Sequence, residues 1–403
     1  MKNTSKNVHL EVIRGMAAFL VVIGHLINKF PEISKHKNHF TNLIGNWATE
    51  SVLIFFVLSG IVIHSSVEAK HKSAKQFLID RFIRINPILF IAVMVSILLE
   101  IYMFNNVPST SMIIGNLIPV STMQGCLLDV FWNSNPVIWS LSFEMFFYVI
   151  FALFVIRKDH IHNRNVAIWF LLGLFCIYFY YHPISESIIL NYLLLMLAYS
   201  PVWIIGFYIW KYRNTIRTNY TLAMLALCCL PIVSRAHFTD NYYDPIRNVL
   251  FALCSVPLFL FLVQHKKGQH FTNFLSNYLG IFLISITYLL SLLFIFNDFT
   301  YPLTSRILYI CLPIAILFIV PFKKLIYRFY TFILLKPFKY IGLLSYSIYL
   351  FHNPILIILA KLTAIPLLLR IAIFVVITFG IAFLLEKKLQ PALNRLLKPK
   401  PIH

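Results

Sequence analysis

Apolar runs of about 20 residues recur along nearly the whole of this 403-residue chain, and the polar breaks between them are short. A helix of that length crosses a hydrocarbon core of about 30 Å. Only 12% of the residues are charged, against roughly 25% in a soluble domain, so a soluble core is excluded. We therefore predict an all-α, polytopic transmembrane helical bundle of about ten to twelve helices, forming one membrane domain over residues 1–403. The predicted spans are 9–29, 47–64, 84–104, 137–156, 165–182, 191–210, 220–235, 246–263, 275–296, 304–321, 341–360 and 366–386.

The positions of the basic residues predict the orientation of the helices. The formal net charge is +20, but the lysines and arginines lie in the breaks between apolar runs and form no single patch, so a nucleic-acid partner is not expected. Alternate breaks hold about 25 of the 34, as the positive-inside rule expects if both termini are cytoplasmic. The break at 105–136, on the opposite side, has none. We predict that it is irregular or built from short interfacial helices, and it either covers a site or is a passive connector.

Two ionisable residues inside the first predicted helix are candidates for function, because a charge at membrane depth costs about 3 kcal/mol or more. Arg14 and His25 are 11 residues apart on one helix face, roughly 16 Å along the axis. Glu11 lies one turn before Arg14 and can pair with it. Alternatively, Arg14 extends to the membrane interface and His25 makes only a hydrogen bond between helices.

Two further helices contain candidate residues. Arg81 and Arg84 open the predicted third helix, where two guanidinium groups suit phosphate binding or only satisfy the positive-inside rule. Glu144 lies in an aromatic run of the fourth helix and needs a hydrogen-bonded or cationic partner there.

Five short motifs follow one another along the chain. They are Leu10-Glu-Val-Ile-Arg14 through His25, Phe55-Phe-Val-Leu-Ser59-Gly60, Arg81 with Arg84 and Pro87, Trp139-Ser-Leu-Ser-Phe-Glu144 with Phe147-Tyr148, and Ser345-Tyr-Ser-Ile-Tyr349-Leu with His352. In this order they resemble the acyltransferase 3 family of bacterial integral-membrane O-acyltransferases. The sequence departs from the family pattern at Met145, where the family commonly has a second acidic residue, and in the spacing from Glu386 to Pro391. Residues 165–321 match none of the motifs.

The resemblance implies a transmembrane O-acyltransferase, in particular an O-acetyltransferase, of the bacterial inner membrane. The implied donor is cytoplasmic acyl-CoA, most often acetyl-CoA. The implied acceptor is a hydroxyl of a cell-surface polysaccharide or of its lipid-linked precursor. Membrane lipid is the remaining expected partner, and no metal is expected.

Physical chemistry suggests a role for each candidate in that reaction. His25 is expected to act as a general base on the acceptor hydroxyl or to carry the acyl group transiently. Arg14 is expected to hold the pantetheine arm or polarise the thioester carbonyl, and Glu144 to orient His25 or Arg14. The other candidates are the donor-phosphate residues Lys75, Arg81 and Arg84 and the acceptor-pocket residues Ser345, Tyr349 and His352.

The main alternative class is a transporter or flippase for a glycan or lipid intermediate, because intramembrane Arg, His and Glu also suit a substrate pathway. We find no two-half repeat with corresponding broken helices, which argues against it. A third possibility is a non-catalytic membrane scaffold, but its intramembrane charges would then be energetically unfavourable and serve no function. The acyl group stays open, as does the glycan, whether O-antigen, capsule, another exopolysaccharide or peptidoglycan.

Overall fold

A computed structural model of the protein describes most of the chain as α-helix. The described residues are 7–36, 47–70, 73–122, 128–131, 133–157, 160–238, 243–264, 274–297, 307, 310–314 and 319–397. The α-helices among them are α1 (Val8–Lys29), α2 (Pro31–Ser34), α3 (Trp47–Lys70), α4 (Ala74–Phe104), α5 (Thr110–Leu117), α6 (Trp139–Ile150), α7 (Asn163–Tyr181), α8 (Ile188–Lys211), α9 (Tyr220–Val233), α10 (Pro245–Gln264), α11 (Phe274–Asn297), α12 (Lys323–Phe329), α13 (Leu335–Lys361), α14 (Leu367–Phe383) and α15 (Gln390–Leu397).

Shorter elements connect or extend these helices. Single π-helical turns follow α6, join α12 to α13 and join α14 to α15; they are Phe151–Val155, Tyr330–Leu334 and Leu384–Leu389. Short 3₁₀ turns are Pro136–Ile138, Leu312–Ile314 and Val320–Phe322. Two-residue strands β1 (Ser121–Thr122) and β2 (Leu128–Asp129) pair in parallel, and β3 (Ile156–Arg157) and β4 (His160–Ile161) pair antiparallel.

The helices confirm the predicted all-α polytopic bundle. In the part of the chain that is described, 10 helical segments are long and apolar enough to cross a membrane, and each corresponds to a predicted span. The predicted span 220–235 is α9, which at 14 residues is shorter than the rest. Half of the predicted span 304–321 lies outside the described residues.

The prediction that Arg81 and Arg84 open the third helix is wrong. Helix α4 begins at Ala74 and runs for 31 residues, with the Ser73 hydroxyl capping its first turn. The two arginines therefore lie about 10 and 15 Å along the helix from its start. Apolar length indicates only the part of a helix that lies in lipid, whereas the capped backbone continues the helix into the polar region.

Helices α1 and α13 run parallel and pack together along their length. We call the side of the bundle where α1 begins the near side, which the basic residues predict to be cytoplasmic, and the side where it ends the far side. The two helices touch backbone to backbone: a Cβ on Gly15 would collide with the Phe338 carbonyl oxygen, and one on Gly342 with the Glu11 carbonyl oxygen. Because lipid provides no hydrophobic driving force between helices, such close packing is a main source of their association.

Helices α3 and α8 cross in the same manner. A Cβ on Gly60 would meet the carbonyl oxygen of Trp203, and one on Gly206 would meet that of Val57. Around this crossing, α6 with the π-helical turn after it, α7 and α8 contribute a fully buried aromatic core whose rings mostly meet edge-on or tilted. Its members include Phe143, Phe147, Phe151, Trp169, Trp203 and Phe207. This core fixes the position of α6, which contains Glu144.

A buried carboxylate holds the far-side loop that follows α4 in place through hydrogen bonds. Glu100 accepts hydrogen bonds from the side chains of Asn106 (3.1 Å), Asn133 (3.2 Å) and Ser134 (2.8 Å), and from the Ser134 backbone N–H (2.9 Å). The Asn353 side chain, in α13, donates to the Ser134 carbonyl (3.1 Å). The loop contains the short helix α5, in line with the prediction, and its end is joined to α13 next to the histidine of the last motif.

An ion pair joins α2 to α14 on the far side. The guanidinium of Arg370, which is buried, donates to the carboxylate of Glu32 and lies over the Phe30 ring. This hydrogen bond holds the pKa of Glu32 below its ordinary value. The pair therefore stabilises the fold above the ordinary carboxyl pKa, and that contribution is lost as the pH falls through the lowered one.

Candidate active site

The histidines of the first and last motifs meet in the far-side halves of α1 and α13. The ring centroids of His25 and His352 are 5.1 Å apart, and the ring planes are inclined by 49°. Each histidine lies ten residues after the glycine at which its helix crosses the other, Gly15 and Gly342. Since both helices rise equally per residue, contact at the glycines in a parallel pair places the histidines at the same height, where their rings meet.

A cavity of about 80 Å³ lies beside His25. It is lined by Val21, His25, Ala48, Thr49, Val52, Pro136, Val137, Trp139 and Tyr349. The Tyr349 hydroxyl donates to the Val137 carbonyl (3.0 Å) and lies 2.8 Å from the Ser140 hydroxyl. The cavity opens to its surroundings and has about half the volume of a cavity of about 150 Å³ that binds benzene, so it has room for a few waters or a group of acetyl size.

The three predicted acceptor-pocket residues lie at different places. Tyr349 lines the cavity, and His352 is fully buried against His25. Ser345 is buried about two turns before His352 and does not line the cavity.

Glu144 is held by hydroxyl groups. It accepts hydrogen bonds from Ser59 (2.9 Å) and from Tyr148, and the Trp203 indole N–H donates to the Ser59 hydroxyl (3.2 Å). The prediction of a hydrogen-bonded partner is confirmed. Among the described residues, no hydrogen bond joins Glu144 to His25 or Arg14, so Glu144 belongs to a separate polar cluster between α3, α6 and α8.

Arg14 pairs with Glu11, as its sequence position predicted. Its Nη1 atom lies 3.1 and 3.0 Å from the two carboxylate oxygens. The Arg14 side chain keeps a quarter of its surface exposed and lies about 16 Å from His25 along α1, towards the near side. This pair places a guanidinium inside the bundle without a net charge.

Arg84 makes a bidentate ion pair that the sequence did not indicate. Its Nη1 and Nη2 atoms donate to the two carboxylate oxygens of Glu386 at 2.7 and 3.2 Å, and Ser347 also donates to that carboxylate (3.1 Å). The guanidinium lies 5.4 Å from the centroid of the Tyr346 ring. The pair connects α4 to the π-helical turn after α14, so part of the donor capacity of Arg84 is already used.

Arg81 and Lys75 have more donor capacity left. The Arg81 guanidinium lies over the rings of Phe77 (5.6 Å) and Tyr148 (6.0 Å). Its Nε atom is buried and has no hydrogen-bond partner within the described ranges. Lys75 is exposed in the first turn of α4. Because Tyr148 also binds Glu144, Arg81 borders the Glu144 cluster on its near side.

The sequence did not indicate a role for two carboxylates that have hydrogen-bonded partners in the structure. Glu386 was visible only through its unusual distance from Pro391, and its partner Arg84 is 302 residues away. Glu100 stands at the end of an apolar run, where a single acid is easily taken for a helix terminus. Identifying either role requires the packing of distant helices.

A known family matches nearly the whole chain. A family model described as an acyltransferase domain, Acyl_transf_3, matches residues 7–387 and so includes every site residue described above. No curated protein and no solved structure matches the chain. With nearly the whole chain matched and 10 helices able to cross a membrane, the protein belongs to the acyltransferase 3 family and is a multi-pass membrane acyltransferase.

Proposed function

We propose that this protein is an O-acetyltransferase of the bacterial inner membrane. It transfers the acetyl group from cytoplasmic acetyl-CoA to a hydroxyl of a cell-surface polysaccharide or of its lipid-linked precursor. The observation that carries the proposal is the pair His25 and His352 beside a small cavity at the far side, with Arg81 and Arg84 nearer the other side. The cavity of about 80 Å³ has room for an acetyl group.

The donor binds from the near side in this proposal. Lys75, Arg81 and Arg84 face the phosphates of CoA, since guanidinium and ammonium groups donate strong hydrogen bonds to phosphate. Arg81 makes the main contact because Arg84 is already bound to Glu386. Arg14, held by Glu11, lies about 16 Å from His25 along α1 and assists the pantetheine arm.

The chemistry takes place at His25. The imidazole accepts the proton of the acceptor hydroxyl while the oxygen attacks the thioester carbonyl. The carbon–sulfur bond then breaks, and the CoA thiolate leaves with the electron pair and takes the proton from His25. If the substrates never meet, the imidazole nitrogen attacks the thioester first and the CoA thiolate leaves with the electron pair of the carbon–sulfur bond. The acceptor oxygen then displaces the imidazole from the acyl carbon, and the imidazole takes the hydroxyl proton.

Sided membrane vesicles test the proposal. Acetyl-CoA labelled in the acetyl group does not cross lipid, so it reaches a cytoplasmic site only in inverted inner-membrane vesicles. We expect label in the glycan and lipid-linked glycan fractions of inverted vesicles that contain the protein, and none in right-side-out vesicles. Movement of glycan without consumption of acetyl-CoA would identify a flippase instead, and incorporation from succinyl-CoA alone would replace acetyl by succinyl.

Replacement of Arg81 by glutamine tests the donor site. We expect the KM for acetyl-CoA to rise about 10- to 100-fold, because a hydrogen bond to a charged group contributes about 1.5–3 kcal/mol. The matched control is Arg213→Gln, since Arg213 is a near-side arginine that stacks on Trp210 (4.0 Å) and pairs with Glu68 (3.3 Å). If the KM for acetyl-CoA is unchanged in the Arg81 variant, Arg81 does not bind the donor and serves only to orient its helix in the membrane.

A further inference from the structure

We infer that His352 is a positioning residue for His25, which it holds in the tautomer whose unprotonated nitrogen faces the cavity. This inference rests on the proposed acyl transfer at His25. It gives His352 a role different from lining an acceptor pocket, and it follows from the hydrogen bonds of the His352 ring.

Backbone carbonyls fix the tautomer of His352. Its Nδ1 atom lies 2.8 Å from the Tyr349 carbonyl oxygen and 3.1 Å from the Ile348 carbonyl oxygen. A carbonyl oxygen only accepts hydrogen bonds, so Nδ1 must carry the hydrogen. In the neutral ring, Nε2 is then an acceptor with a free lone pair.

The free lone pair of His352 is buried next to His25. Nε2 is inaccessible to solvent, and no described residue donates a hydrogen bond to it. The neighbouring ring is that of His25, at a centroid distance of 5.1 Å. Two hydrogen-bonded imidazoles have centroids roughly 5 Å apart, given an N···N distance of about 2.9 Å. The structure has no hydrogen bond between the two described rings, and in the inferred arrangement the half-buried His25 ring rotates about χ2 to present an N–H to this acceptor.

The consequence for His25 is a defined direction for its lone pair. When one ring nitrogen donates to His352, the other has no hydrogen, and His25 lines the cavity. A base or nucleophile needs its lone pair in that position. A neutral imidazole achieves this orientation without placing a carboxylate charge inside the membrane, where an unpaired charge is costly. Glu144, the alternative orienting group, is bound to Ser59 and Tyr148.

Two substitutions separate this role from packing. His352→Leu removes the acceptor, whereas the amide oxygen of His352→Gln reaches the position of Nε2 and accepts a hydrogen bond. We expect His352→Leu to lower kcat about 100-fold with the KM for acetyl-CoA unchanged, and His352→Gln to restore kcat to within about tenfold of wild type. Equal losses in both variants, or wild-type kcat in His352→Leu, would overturn the inference.

A second buried histidine supplies the matched control. His64 in α3 is buried, its Nδ1 donates to the Phe207 carbonyl (3.0 Å), and its ring stacks on Phe207 at 3.9 Å. It therefore resembles His352 in burial and hydrogen bonding but has no contact with His25. We expect His64→Leu to change stability and to leave kcat unaltered, and an equal fall in kcat there would reduce the His352 effect to packing.

Nitrogen-15 NMR of histidine-labelled protein tests the tautomer without any activity. The signals of His25 are identified by their loss in His25→Ala. We expect one tautomer of His25 in wild type and in His352→Gln, and a mixture in His352→Leu. Unchanged His25 signals in His352→Leu would overturn the inference even if acetyl transfer occurs, whereas absence of acetyl transfer in wild-type vesicles would overturn only the proposed function.

Discussion

The His25→Ala protein is expected to insert into the membrane normally and to lose acyl transfer by about 10²- to 10⁴-fold or more. General-base catalysis alone contributes that range, and an acyl carrier cannot be replaced at all by alanine. The measurement is the incorporation of labelled acetyl from acetyl-CoA in inverted vesicles that contain equal amounts of protein. His25 is only half-buried, so the substitution leaves the contact of α1 with α13 at Gly15 and Gly342 in place.

His64→Ala is the control for the loss of a membrane-embedded imidazole. It should retain transfer, because His64 contacts Phe207 and does not line the cavity beside His25. Full activity in His25→Ala would remove His25 from the chemistry and would restore the view that it makes only a hydrogen bond between helices. Acid-labile label on wild-type protein that is lost in His25→Ala would identify the two-step route.

The second large effect is expected from Gly15→Val. A Cβ at this position meets the carbonyl oxygen of Phe338, which is backbone and cannot rotate away. Helices α1 and α13 must then separate, and overpacking of this kind costs about 1–3 kcal/mol, or more when two backbones are forced apart. We expect a lower thermal stability in detergent and loss of acetyl transfer, because His25 and His352 no longer meet.

Gly380→Val provides the matched control, since no atom lies within 4 Å of a Cβ built on Gly380 in α14. The same β-branched side chain should be tolerated there with near-normal stability and transfer. Gly342→Val should reproduce the Gly15 defect from the opposite helix, because its Cβ meets the Glu11 carbonyl. Equal stability of the Gly15 and Gly380 variants would contradict the close crossing.

The sequence predicted the features that depend on local pattern. Apolar length identified the spans, and the three-residue spacing of Glu11 and Arg14 identified their ion pair. It did not predict that His25 and His352 lie side by side, because that contact depends on how α1 and α13 cross. The extension of α4 back to Ala74 was missed because no apolar signal marks a helix that continues beyond lipid.

The partners of buried charges were predicted least well. Glu144 was expected to contact a histidine or an arginine, but its carboxylate is bound by Ser59 and Tyr148. Hydroxyl donors are too common in the sequence to be identified as partners of one acid. Arg84 suited a phosphate ligand as well as it suits Glu386, since both offer oxygens to the two prongs of a guanidinium.

The spacing from glycine to histidine is equal in α1 and α13. A change in the angle at which the two helices cross at the glycines therefore displaces the two histidines relative to each other. The ten residues between glycine and histidine span about 15 Å of helix, so a change of about 5° in the crossing angle moves one imidazole by about 1.3 Å relative to the other. A displacement of about 1 Å can reduce catalysis about 100-fold. Helix tilt adjusts to the thickness of the surrounding bilayer, and the geometry of the two rings is therefore linked mechanically to lipid composition.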